Sequence, residues 1–293
     1  MQIDKKLVKT LDLDIFKNLK KYKNIYYIGN KDLLFEKSIT VVGSRKATSY
    51  GLRVCNDMCS FLGSHNIVTV SGYVAGIDRC VFDTAIKKNF KTIICLGYGF
   101  DYIPPFLLRL YKNSKKNLLI LSQFKPTQSA KKWTFPARDA LLASIGSATV
   151  VIEAGMPSGT FYTVKQAFKE NKKVFSVPGN LYSAQSLGTN FLIGEGLKNK
   201  KAICLYSFNV LLKYLKPNVH SFFTKNNNFK SNFKTKLSTQ EQIVLNLLNA
   251  NLQHFDDLLK KSNLKSTELL VTLASLELQG LIKQESNSMY RLV

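Results

Sequence analysis

Between residues 39 and 205 the chain alternates short apolar runs, rich in Val and Ile, with segments of helical period. The runs are 39–43, Ile67 to Ser71, Thr92 to Gly97, Leu118 to Ser122, Thr149 to Glu153, Val174 to Pro178 and Ala202 to Leu205. Seven buried-type strands separated by helical segments predict an α/β domain over 39–216 with a mostly parallel, doubly wound sheet covered on both faces. In such sheets ligands sit beyond the carboxyl ends of the strands. The informative residues are therefore those just after each run.

The flanks show other patterns. Residues 1–38 are Lys-rich, with a weakly helical stretch from Leu7 to Leu19 and a strand-like Ile25 to Ile28, and are too short to fold alone. They read as a lead-in packed on the sheet domain. Residues 217–237 carry Lys225, Lys230, Lys234 and Lys236 and no acid, and read as a basic linker. From Ser238 the apolar spacing becomes purely helical, opening on the capping box Ser238 to Glu241; Gly280 stops the third helix, and two short strands around a polar turn close the chain. Three helices and a hairpin over 238–293 predict a winged helix.

Charge narrows the function. The 42 Lys and Arg against 19 Asp and Glu leave +23, which calls for a polyanionic partner, nucleic acid before membrane. Residues 238–293 hold five bases and six acids, 5 − 6 = −1, so the winged helix lacks the basic footprint of an isolated duplex reader and suits a protein-contact or regulatory role. The nucleic-acid site belongs to the sheet domain. No apolar run reaches about 18 residues and the first residues show no secretory pattern, so a cytoplasmic location is expected. The five cysteines show no CxxC pairing; Cys55 and Cys59 are four apart but have no third ligand cluster, so neither a disulfide framework nor a metal site is expected.

The turns after the strands repeat one theme. Gly43, Ser44, Arg45 and Lys46 come after the first run; Ser71, Gly72 and Gly76 come after the second; Ser158, Gly159 and Thr160 precede a helix carrying Lys165. A glycine turn leading into a helix presents unpaired amides to an anion, and several converging on one edge form an electropositive ledge from backbone alone. Thr48 and Tyr50 are candidate DNA contacts that read equally as a helix cap and as packing, while Asp78 reads as a partner for the helix dipole. Lys132, Trp133, Phe135 and Arg138 mix cations with aromatics, the composition that holds unstacked bases. Glu153 ends a strand without an accompanying His or Asp, and no GxxxxGK[ST] motif is present, so neither catalysis nor a P-loop ATPase is supported. No cofactor is expected.

Taken in order, Val42 to Arg45, Thr48 with Tyr50 and Gly51, Ser71 with Gly72, Gly76 to Asp78, Phe135 with Pro136 and Arg138, Val151 to Ala154 with Ser158 and Gly159, Val177 to Gly179 and Gly188 to Asn190 resemble the DNA processing protein A (DprA/Smf) family. The resemblance covers roughly residues 35 to 200, and the C-terminal helices resemble the winged helix of many members. It implies an extended Rossmann-like domain that binds single-stranded DNA, forms a homodimer and loads the RecA recombinase in natural transformation. Two departures stand out. Val81 and Phe82 replace the family's common Ala-His, and Phe135 to Ala140 replace Phe-x-x-Arg-Asn-Arg, with Asp139 and Ala140 removing positive charge from the DNA pocket that the resemblance implies. Lys131, Lys132 and Trp133 stand just upstream to compensate.

Two other functions compete. Gly155 to Thr163 is similar to the Gly-Gly-x-Gly-Thr-x-x-Glu motif of phosphoribohydrolases, but Thr163 stands in the place of the catalytic glutamate. A duplex-DNA regulator acting through the winged helix is disfavoured by that module's charge.

Overall fold

The computed structural model describes residues 4–16, 18–215, 238–248, 253–279, 281–285 and 288–292, in two compact units divided between residues 220 and 221. The segment read as a basic linker, Gly280, and the hairpin turn at 286–287 lie outside the described residues.

The strands of the first unit are β1 (Lys9–Thr10), β2 (Tyr26–Gly29), β3 (Ser38–Val42), β4 (Val68–Ser71), β5 (Thr92–Cys95), β6 (Leu118–Ser122), β7 (Ala148–Val151), β8 (Lys173–Ser176) and β9 (Ile203–Cys204). Its helices are α1 (Ser49–Ser64), α2 (Ile77–Lys87), α3 (Pro105–Asn113), α4 (Thr134–Ile145), α5 (Thr160–Lys169), α6 (Leu187–Gly194) and α7 (Asn209–Leu215). All nine strands form one sheet in the order β1-β2-β6-β5-β4-β3-β7-β8-β9, parallel from β6 to β9. The chain steps outward from β3 through β4 and β5 to β6, then returns on the other side of β3 as β7. The direction of winding reverses between β3 and β7, where a doubly wound sheet opens its ligand crevice.

Period-two alternation explains why β3 is buried on both sides. Ile39 and Val41 pack with Cys55, Met58 and Leu62 of α1, while Val42 joins Leu141 and Leu142 of α4. Thr40, on the α4 side, stays satisfied because its hydroxyl donates to the Leu142 carbonyl at 2.7 Å.

The lead-in corrects one expectation. Among its described residues Leu7 to Leu19 forms no α-helix: 3₁₀ turns at Lys5–Leu7 and Leu13–Ile15 flank β1. The Asp12 carboxylate accepts from the Asp14 amide at 3.1 Å, and the Leu11 amide donates to the Ile25 carbonyl at 2.8 Å, so a local side chain and a tertiary partner take groups a helix would need. Leu11, Phe16 and Leu19 are buried in the main core, and β2 adds an antiparallel strand against β6, with Tyr26 opposite Ser122. The N-terminal segment is thus part of the sheet.

The second unit comprises α8 (Thr239–Leu248), β10 (Gln253–His254), α9 (Phe255–Ser262), α10 (Ser266–Leu278), β11 (Ile282–Glu285) and β12 (Met289–Leu292), with strand order β10-β12-β11. The capping box is present: the Ser238 amide donates to Glu241 Oε2 at 2.8 Å and the Glu241 amide to Ser238 Oγ at 3.2 Å. Val244, Leu258, Leu269, Leu273, Ile282 and Tyr290 form its core. Among the described residues no helix is long and apolar enough to cross a membrane.

Candidate nucleic-acid interface

Because β3 and β7 are neighbours, the turns at their carboxyl ends face one another. The Ser44 amide donates to the Glu153 carbonyl at 2.8 Å and joins the two turns. Ser44 Oγ donates to Gln185 Oε1 at 2.6 Å and accepts from the Lys46 amide at 3.0 Å, which tightens the Gly43–Lys46 bend. Between the turns lies a cleft of about 450 Å³ whose lining includes Gly43, Ser44, Arg45 and Lys46 on one side and Ser158, Gly159 and Thr160 on the other.

The start of α1 is held from below by Glu153, which is only 1% exposed. Its two carboxylate oxygens accept from the Thr48 amide at 2.9 Å and the Thr48 hydroxyl at 2.5 Å, and that hydroxyl accepts from the Gly51 amide at 3.2 Å. A Cβ on Gly51 would stand 2.2 Å from Glu153 Oε2, so the helix approaches the carboxylate only through glycine. Thr48 is therefore the N-cap, one of its two sequence readings. Thr48→Ala is expected to lose about 1–2 kcal/mol, as cap removals do, read as a lower urea midpoint at unchanged slope, with Thr48→Ser close to the parent. Equal loss in both variants would count against the cap.

The turn after β4 crosses underneath the same bend. Gly76 has φ +83° and ψ −132°, and the Ile77 amide donates to the Ser44 carbonyl at 3.1 Å. A Cβ at Gly76 would lie 2.2 Å from Ser44 O. The two glycine turns are thus locked together, and the position of Arg45 depends on both.

Arg45 is exposed, and its guanidinium lies over the Phe135 ring at 5.3 Å from the centroid. That contact brings the 131–135 stretch to the mouth of the β3 turn. Lys131 and Lys132 are exposed, and Trp133, 56% exposed, packs edge-on against Phe124 at 5.7 Å. The glycine turn, the exposed cations Arg45, Lys131 and Lys132 and the exposed Trp133 ring therefore share one end of the sheet.

The sequence model of a family described as DNA recombination-mediator protein A matches residues 14–209, and that of the DprA winged helix domain matches residues 234–287. The chain belongs to this DprA/Smf family. It is 34% identical over 175 residues to DNA processing protein DprA of Streptococcus pneumoniae, a match covering 59% of this chain and 62% of that one. It is 32% identical over 163 residues to DprA of Bacillus subtilis, covering 55% of each. The matches thus span between about half and two thirds of these curated relatives. A solved structure of DNA processing protein A from Helicobacter pylori, described for its single-stranded DNA binding mode, aligns with TM-score 0.62 at 27% identity, covering 71% of this chain and 97% of that chain.

Among the DprA/Smf motif positions, several sit elsewhere than the sequence suggests. Arg138 is 2% exposed and committed inside the protein. Its Nη1 donates to the Cys95 carbonyl at 3.1 Å, its Nε to Asp139 Oδ1 at 2.9 Å, and its Nη2 lies 3.7 Å from Asp78 Oδ2. Arg138 is thus corrected from a DNA-contact residue to the counter-charge of two acids in the cleft lining. Burial raises the Asp78 carboxyl to about 6, an effect that Arg138 partly offsets, and burial likewise raises Asp139. Asp139 is the partner of Arg138 as well as a negative charge added to the family pattern, and Asp78, in the first turn of α2, pairs with the same side chain.

Ser71 is also corrected: it is fully buried, and its hydroxyl donates to the Val41 carbonyl at 2.7 Å. Gly72 is buried against Arg138, where a Cβ would stand 1.9 Å from Nη1, so it serves packing rather than backbone approach. Lys165 is exposed but lines a different cleft, between α5 and the 197–200 turn. Tyr50 is 48% exposed with its hydroxyl donated to the Pro178 carbonyl at 2.8 Å, leaving the ring open. The Val81 and Phe82 departure fills the core, both being fully buried, with Phe82 edge-on to Tyr73 at 5.1 Å.

Sequence reasoning missed Gln185, which joins the two turns through Ser44 and accepts the Ala154 amide on its backbone carbonyl at 2.8 Å. A lone glutamine in a loop gives no signal of that. Among the described residues no group of three or more His, Cys, Asp or Glu is arranged to hold a metal ion.

Proposed function

We propose that the β3–β7 crevice and the adjoining Arg45, Lys132, Trp133 and Phe135 surface bind single-stranded DNA without regard to sequence. In this role the chain acts as a cytoplasmic homodimeric mediator that presents the strand to RecA in transformation. The observation that carries the reading is the Arg45 guanidinium over Phe135 at the mouth of the cleft lined by the Gly43–Lys46 turn. An exposed cation over a ring at the mouth of a cleft suits a phosphate next to an unstacked base. Family membership and the strand-binding described for the Helicobacter pylori relative support it.

The phosphoribohydrolase alternative finds no support in the site. Thr163, in the place of the catalytic glutamate, is fully buried, and both oxygens of Glu153 are taken by Thr48. The winged helix, with net charge −1, is assigned a protein-contact or regulatory role.

Salt titration of oligo-thymidylate binding tests the proposal. Each phosphate neutralised on a single strand contributes a slope of about 0.7 in log affinity against log salt. Arg45→Ala is expected to weaken binding roughly tenfold and to lower the slope by about 0.7. An affinity untouched by Arg45→Ala, or flat with salt, would overturn the crevice as the binding site.

A further inference from the structure

We propose that a second cleft, on another face of the α4–α5 pair, continues the path of the strand and accepts an apolar base with its flanking phosphates. The inference rests on the single-strand reading of the first cleft.

The two clefts share their walls. From α5 the first takes Thr160 and Thr163 and the second takes Tyr162, Lys165 and Lys169, which helical periodicity sets on a different face. From α4 the first takes Arg138 and Asp139 and the second takes Pro136 and Ala140. A strand leaving the first cleft past the start of α5 meets the second cleft by tracking the same helix.

The second cleft has a volume of about 470 Å³, and among the described residues no acid lines it. Pro136, Ala140 and Leu197 supply apolar lining, and the Tyr162 ring is 53% exposed. Lys165, Lys169 and Lys198 supply the charge, and among the described residues none of their three ammonium groups makes a hydrogen bond or an ion pair. Lys200 is different: its ammonium donates to the Phe168 carbonyl at 2.7 Å and to Asn171 Oδ1 at 3.0 Å, which ties the 197–200 turn to the end of α5. Lys198 is carried on this turn in left-handed backbone, with φ 49°. The cleft is therefore a built concavity with three uncommitted cations around an apolar lining. Exposed lysines near apolar surface are ordinary; lysines of one sign around a concavity contiguous with a polyanion site suit more of the same polyanion. Duplex DNA does not suit it, because its bases are stacked away from the apolar lining.

The test uses the full chain and two oligo-thymidylates, one of about 6 and one of about 20 nucleotides, within the range of single-strand site sizes. Fluorescence anisotropy compares the parent, Lys169→Gln/Lys198→Gln and Arg45→Ala across a salt series. The double variant is expected to keep the parent's affinity for the short oligonucleotide, lose roughly tenfold on the long one, and lower the long-oligonucleotide slope by about 1.4, two phosphates' worth. Arg45→Ala instead weakens the short oligonucleotide, so a failure of the first cleft is read separately from a failure of the second. Unchanged long-oligonucleotide affinity and slope in the double variant, with its thermal transition at the parent's temperature, would overturn the second station. So would a result in which a labelled acidic peptide with an aromatic end loses binding in the double variant while the long oligonucleotide does not; the occupant would then be a protein segment.

Discussion

Arg138→Ala is expected to destabilise the sheet unit by about 3–5 kcal/mol at neutral pH, the usual cost of removing one side of a buried charge cluster. Among the described residues the side chain is the sole cation in direct contact with Asp78 and Asp139, and both acids lie in the cleft lining. Its loss also leaves the Cys95 carbonyl without the 3.1 Å donor.

The pH dependence gives this loss a signature. In the folded protein the Asp78 carboxyl is raised to about 6 by burial, above the value it takes when unfolded. A raised acid binds its proton more tightly when folded, so its contribution to stability is full at low pH and is lost as pH rises through about 6. Ionised Asp78 and Asp139 need Arg138; protonated acids do not. The deficit of Arg138→Ala relative to the parent is thus expected to be largest above pH 6 and to shrink toward pH 4 in urea titrations across that window. Taking the difference from the parent removes other acids, such as Glu170, which is held down to about 2 by Lys21, Ser144 and Gln166 against its burial. A deficit independent of pH would refute the counter-charge role. Arg138→Ala/Asp78→Asn recovers part of the loss if the role is right.

Gly76→Ala is expected to cost roughly 2–5 kcal/mol, combining a strained backbone with an overpacked contact. At φ +83° and ψ −132° the position suits glycine alone, and the added methyl would meet Ser44 O at 2.2 Å and the Arg45 Cα at 2.7 Å. Relief requires the Gly43–Lys46 bend to move, so oligo-thymidylate affinity should fall in whatever fraction of the variant remains folded. Gly159→Ala is the control for stability alone: its Cβ would meet nothing within 4 Å, and its φ is −60°. Equal losses of stability in the two variants would remove the argument for interlocked turns.

How much of the fold and site was legible in the sequence depended on where each residue's partners lie. The strands from 39 to 205 announced themselves because burial on both faces forces continuous apolar runs, as in Leu118–Ser122. The segment Leu7 to Leu19 misled because the Leu11 amide pairs with Ile25 across the fold and the Phe16 and Leu19 amides close only tight local turns, to Leu13 and Phe16. At the site, the Gly43–Lys46 turn was readable because its chemistry is local. Arg138 and Ser71 were not, since their fates are set by Cys95, 43 residues away, and Val41, 30 residues away. The contact of Arg45 with Phe135 crosses the α4–sheet junction and has no local trace at all.

Both borders of the large sheet end in strands of only two residues, Lys9–Thr10 on one side and Ile203–Cys204 on the other. A long bare border would offer a row of unpaired amides and carbonyls to any neighbouring chain, and stubs this short offer almost none. Among the described residues the large sheet thus presents little template for strand-on-strand fusion between copies.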